Sequence, residues 1–335
     1  MKRAILVLVV VTVGLLAAAQ QAGATEYAFI RAIGGPDPGT GEGQFNFPQG
    51  VAVDSSGNLW VADSSNNRIQ QFSPSGAYVS QFGTLGALDG QLSQPCGVAV
   101  DSSGNIWVAD TYNARIQKFT SAGAHLKTFG THGSGAGQFL DPQGVAVDSS
   151  GNVWVADTDN NRIQEFTSLG VFVREFGSLG TDPGQFKYPY GVVADSSGNV
   201  WVADTQNYRL QQFTSEGVYV RQLGSHGTGN GQFGGVTGVT VDSSGNIWTA
   251  DSCERIQEFT ASGDFLTKFG SLGSGDGQFD HIYGVAVDAS GNVWAADRLH
   301  NRVEEFGPVP EPATILLLGT GLVGLIAFIR RRRTQ

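Results

Sequence analysis

Few side chains in this sequence could do chemistry, and they are spaced regularly. The five histidines are His125, His132, His226, His281 and His300. His132 and His226 share one phase of a sequence repeat but stand two units apart, and the other three have no matching partners. Zinc takes three or four ligands about 2.0–2.3 Å from one point. No spacing here gathers such a set, so no metal and no cofactor is expected. His281, two residues before Tyr283, is the best local acid–base pair. Six aspartates, Asp54, Asp101, Asp148, Asp195, Asp242 and Asp288, each open a Ser/Ala-Ser-Gly-Asn turn. A carboxylate there accepts nearby backbone N–H bonds; the alternative, a calcium loop, would need spaced carboxylates that the serines do not replace. Asp63 with Arg68, repeated through Asp297 with Arg302, predicts an ion pair bracing a second turn or joining neighbouring units. Catalysis seldom needs six copies, so these acids read as architecture.

The elements that position these residues come from the repeat itself. The six turn aspartates are spaced by 47, 47, 47, 47 and 46 residues, and all six tryptophans fall at one phase, from Trp60 to Trp294. Each unit begins with two short apolar runs, such as Gly50 to Asp54 and Leu59 to Asp63, around a Gly/Asn turn. That is a hairpin with both faces buried. Two runs with interspersed polar residues follow, Arg68 to Phe72 and Ala77 to Phe82, and are expected to be partly exposed outer strands. Four antiparallel strands per unit, with burial falling from first to fourth, describe a propeller blade. The sixth unit stops at Phe306-Gly307 after three strands. Its missing fourth matches Ala28 to Gly34, which aligns without a gap to Val171 to Gly177. The expected fold is therefore all-β, a six-bladed β-propeller over residues 25–307, closed by the N-terminal strand so that no sheet edge is left open.

Function is sought where the copies differ. Turns one and three of every blade emerge at one end, which is monotonous; turn two and the crossover emerge at the other, which varies. Around the channel mouth at the variable end stand Gln49, Cys96, Gln143, Tyr190, Thr237 and Tyr283. On the second turns stand Ser65, Tyr112, Asp159, Gln206, Cys253 and Leu299. Tyr, Gln, Thr and Asp of uneven size, with His281 beside them, suit hydrogen bonding and stacking against a sugar or peptide; neutral drift of exposed loops is the alternative. Cys96 and Cys253 belong to opposite blades and are expected to stay unbridged, since a disulfide needs Cα atoms within about 7 Å.

Gly-Gln-Phe, a following Pro-x-Gly-Val-Ala-Val-Asp, and Ala-Asp-Thr-x-Asn-x-Arg-Ile-Gln-x-Phe, recurring through about residues 27 to 307, resemble the NHL-repeat family of β-propellers. The resemblance implies the fold. Its functions range over RNA-binding platforms, protein scaffolds, carbohydrate or adhesion modules and lyases.

Both ends read as addresses. Lys2 and Arg3, an apolar run from Ala4 to Ala19, and Ala22-Gly23-Ala24 predict a cleaved signal peptide over residues 1–24. At the other end come Pro310-Glu311-Pro312, an uncharged stretch over 313–329 just long enough for a transmembrane helix, and Arg330, Arg331, Arg332 and Arg333. Residues 308–335 thus resemble the PEP-CTERM sorting signal of bacterial surface proteins. That implies an exosortase-type processing enzyme as partner, a membrane-anchored precursor, and delivery to the cell surface or extracellular matrix; an ordinary C-terminal anchor is the alternative. Six of the chain's 20 basic and one of its 30 acidic residues lie in these ends, which leaves the middle with 14 against 29, a net charge of −15. A surface so acidic excludes nucleic acid as a partner. The sequence is read as an exported binding or scaffold module for exopolysaccharide, another glycan or a surface protein; the alternative is a lyase or hydrolase acting at the channel mouth.

Overall fold

The computed structural model describes residues 25–309. The expected signal peptide, the transmembrane helix over 313–329 and the sorting residues Pro310 to Pro312 and Arg330 to Arg333 lie outside the described residues.

In the first blade, β-branched and aromatic runs between glycine turns form β2 (Pro48–Val53), β3 (Leu59–Asp63), β4 (Arg68–Phe72) and β5 (Tyr78–Phe82), preceded in the chain by β1 (Tyr27–Gly34). Five four-stranded sheets repeat the order of β2 to β5. The sixth is completed by β1, which pairs antiparallel with Arg302–Pro308, placing Phe29 opposite Phe306 and Ile33 opposite Val303. The ring is closed within residues 27–308, and every blade has its four strands, so this segment folds as one unit.

The hydrophobic core lies between successive blades. Trp60 packs with Ile106, Val108 and Phe119 of the second blade, and Trp294 packs with Leu59, Val61 and Phe72 of the first, which seals the ring. All six tryptophans are at most 1 % exposed, as blade-packing anchors should be. Trp60 also donates from Nε1 to Asp54 Oδ2 at 3.2 Å, while Asp54 Oδ1 accepts from the backbone N–H groups of Ser56 and Asn58 at 2.9 Å. Each turn aspartate thus does the backbone work its position predicts.

Burial departs from the expected gradient. The first strand is only partly buried because one face lines the channel, whereas the third, expected to be partly exposed, is buried along its whole length in blade one. The reason is hydrogen bonding. Gln70 is fully buried because its Nε2 donates to Gln44 O at 2.8 Å and its Oε1 accepts from Gly43 N at 3.0 Å, tying the incoming crossover onto the blade. Arg68 does the same from one side: Nε donates to Asp63 Oδ2 at 2.7 Å, and Nη2 to the carbonyls of Gly41 and Gln44 at 2.8 Å. The six equivalent pairs span 2.7–3.0 Å. Only the fourth strand alternates exposed and half-buried residues, as in Tyr78–Phe82.

Candidate functional site at the channel mouth

One glycine per blade brings the six first strands together around the axis. A Cβ on Gly238 would stand 2.5 Å from Tyr283 O, and one on Gly284 2.5 Å from Gln49 O, so only glycine permits this approach. The residue before each of these glycines then faces the axis. Gln49, Cys96, Gln143, Tyr190, Thr237 and Tyr283, all singled out by the repeat, line a single cavity of about 100 Å³ floored by valines. At the opposite end the channel opens to about 260 Å³ between valines, alanines and Thr240.

The mouth is asymmetric. Tyr190 and Tyr283, from blades four and six, stack with centroids 5.8 Å apart and planes 24° apart. Burial pushes both phenols above their ordinary pKa, so both keep their protons at neutral pH. Thr237 Oγ1 donates to Ile282 O at 3.0 Å. Gln143 Nε2 donates to Asp141 Oδ2 at 2.7 Å, while its Oε1 is buried without a partner. Burial drives the Cys96 thiol up to about 12, and both cysteines are free, as expected.

The outer candidates are not gathered into the cavity. Tyr112, Asp159 and Gln206 stand exposed on the second turns, each held by a backbone bond to the crossover: to Ser93 O, Leu140 O and Lys187 O at 3.0–3.1 Å. Partial burial and the neighbouring charge of Asp141 raise the Asp159 pKa. His281 is exposed, outside the cavity lining, with its Nδ1 3.2 Å from Asp280 Oδ1. The histidines were expected to share no ligand cluster, yet His281, Asp280 and Glu254 do offer donor atoms within 4.8 Å of one another. Glu254 is already engaged there, accepting from Ile282 N at 3.1 Å. Asn67, Asn161 and Asn301 play the same capping role, accepting from the backbone N–H of Gln94, Tyr188 and Phe47 at 2.9–3.0 Å.

Sequence reasoning missed Arg298. Its guanidinium lies over the rings of Phe47, at 5.0 Å, and Tyr283, at 5.6 Å, beside the mouth. Its Nε is buried without a partner, and it forms no ion pair among the described residues. The signal was present. Ser64, Thr111, Thr158 and Thr205 hold the same place in other blades, and each hydroxyl donates to the next blade's first strand at 2.6–2.8 Å. Only blade six replaces the hydroxyl by a cation. Asp141 and Asp159 belong to blade three, directly across a six-membered ring from Arg298.

Residues 42–308 match the profile of the virginiamycin B lyase family, and residues 308–333 match the PEP-CTERM protein-sorting motif. Among solved structures, a streptogramin B lyase is 16 % identical, with a TM-score of 0.59 over 84 % of this chain and 98 % of that one. A catalytically inactive histidine-to-alanine variant of virginiamycin B lyase from Staphylococcus aureus, solved with quinupristin, is 18 % identical, with a TM-score of 0.56 over 82 % of this chain and 83 % of that one. A gluconolactonase from Xanthomonas campestris is 13 % identical, with a TM-score of 0.60 over 84 % of this chain and 99 % of that one. At such identities the likeness is one of fold. A curated relative, Protein brain tumor of Drosophila melanogaster, is 47 % identical over 51 residues, which are 15 % of this chain and 5 % of that protein's length.

Proposed function

The chain belongs to the virginiamycin B lyase family and carries a PEP-CTERM motif that marks it for export, exosortase processing and surface sorting; from that premise we propose that it is a surface-displayed binding module whose variable end takes a glycan or protein ligand. The same proposal includes cleavage of residues 1–24 as a signal peptide, a transient membrane anchor over 313–329, final residence at the cell surface or in the extracellular matrix, and assignment of the blades to the NHL-repeat type.

The observation that carries the reading is the composition of the mouth. Six positions at the variable end of the repeat converge on one cavity, and none of the six is a histidine or a carboxylate. A general base belongs within about 3 Å of the proton it takes, and the six lining positions supply none. About 100 Å³ is also too little to enclose a substrate, since ligand pockets usually measure roughly 300–1,000 Å³. A projecting sugar ring or side chain lying on the stacked tyrosines is what such a mouth can hold.

Family membership supports the other reading, a lyase or hydrolase at the mouth, with His281 and Asp280 as its acid–base pair. Residues 25–309 tested on a glycan array and in turnover assays on the captured ligands separate the two. Retention without turnover supports a binding module; turnover lost in His281→Ala supports an enzyme.

A further inference from the structure

We infer that the mouth selects a glycan carrying a single carboxylate, a terminal hexuronate on an otherwise neutral saccharide, and rejects polyuronates; this rests on the reading of the mouth as a glycan site. Three observations support it. Arg298 holds a guanidinium beside the mouth with a buried, unpartnered Nε and no carboxylate of its own. The other buried arginines of the repeat, Arg68 to Arg302, each spend Nε on an aspartate. An unpaired guanidinium fork is a bidentate carboxylate receptor, and its place over the Phe47 and Tyr283 rings fixes its plane.

The second observation is Gln143 Oε1, also buried and unpartnered, with its amide nitrogen anchored on Asp141 at 2.7 Å. The anchored nitrogen leaves the oxygen to accept a bond, and a sugar hydroxyl is a donor of the right kind. Between these groups the Tyr190–Tyr283 stack offers an apolar surface with two protonated phenols.

The third is the wall across from Arg298. Asp141 and Asp159 are close enough for the charge of one to raise the pKa of the other. A second carboxylate along the glycan would meet that wall, in the field of a domain with a net charge of −15. Attraction at Arg298 and repulsion at the opposite wall discriminate a monoanionic ligand from both neutral and polyanionic ones.

The test is calorimetric titration of residues 25–309 with cellobiouronic acid, cellobiose and an oligogalacturonate. Cellobiouronic acid should bind at least about tenfold more tightly than cellobiose, because a hydrogen bond to a charged group contributes about 1.5–3 kcal/mol. The oligogalacturonate should bind no better than cellobiose. Arg298→Thr restores the residue type of the other blades, so its melting temperature should match the wild type while the preference for the uronate disappears. Equal affinity for uronate and neutral disaccharide, or a preference that survives Arg298→Thr, overturns the inference and leaves the glycan reading intact. Absence of binding by all three saccharides in the wild type, together with a blank glycan array, overturns the glycan reading itself.

Discussion

Glu304→Gln should stabilise the protein, and by more as the pH rises. Gln70, Gln117, Gln164, Gln211 and Gln257 stand at the centre of the third strand in five blades, and each donates from Nε2 to a crossover carbonyl at 2.6–2.9 Å. Blade six has Glu304 there. It is fully buried; Arg302 Nη2 lies 3.2 Å from its Oε1, yet neither oxygen makes a well-directed hydrogen bond. Burial, opposed by Arg302 and aided by the charge of Asp297, raises its pKa from 4.5 to about 7. A protonated Glu304 can donate as the glutamines do; an ionised one cannot. Since the folded state holds this proton more tightly than the unfolded chain, the stability linked to it is fully present below pH 4.5 and is lost as the pH climbs to about 7. A gap of that size, at about 1.4 kcal/mol per pH unit, amounts to roughly 3 kcal/mol. The glutamine variant escapes this loss. Thermal melts of both proteins from pH 4.5 to 8 should therefore show a difference that is small at the acid end and grows to about 5–10 °C at pH 8. The comparison cancels titrations common to both proteins, among them that of Glu258, which is also raised to about 7. A difference that stays flat with pH, or a variant less stable at pH 8, would refute the reasoning.

Other consequences follow from the same geometry. Deleting Tyr27 to Gly34 should lower the melting temperature by many degrees and promote aggregation, since it strips the sixth blade of its edge strand; light scattering during a melt reads both. Gly238→Ala should destabilise by about 1–3 kcal/mol, because its Cβ meets Tyr283 O at 2.5 Å, and urea unfolding measures the loss. Ellman's reagent should count two thiols in denaturant but react slowly with Cys96 in the native protein, where burial holds its pKa near 12. In cells, replacing Pro310, Glu311 and Pro312 by alanine should keep the chain in the membrane fraction, which immunoblotting of fractions would show.

The repeat made the architecture legible because each blade restates the same hydrophobic pattern, and the unpaired third strand at Phe306 pointed to its missing partner at Ala28. The mouth was legible for a related reason: the residue before an axial glycine has no direction to face but the axis. What escaped notice were polar residues buried by partners far away in sequence. Gln70 reads as a solvent-facing residue until the carbonyl of Gln44 is placed against it. Arg298 and Glu304 are substitutions within otherwise constant positions, and Glu254 stands where three blades have asparagine; their weight appears only once the hydroxyl, the glutamine and the asparagine are seen making bonds to a neighbouring blade or crossover.

The central claim is that ligand is held at the end where the blades differ. Retention on the glycan array should be compared between the wild type, a Tyr190→Ser/Tyr283→Ser double variant, and a variant with Ser149→Arg and Ser196→Arg on the uniform end. The account predicts that the tyrosine variant still melts cooperatively but loses retention, while the arginine variant keeps it; retention that survives without the tyrosines, or that vanishes when only the uniform end is altered, would contradict it.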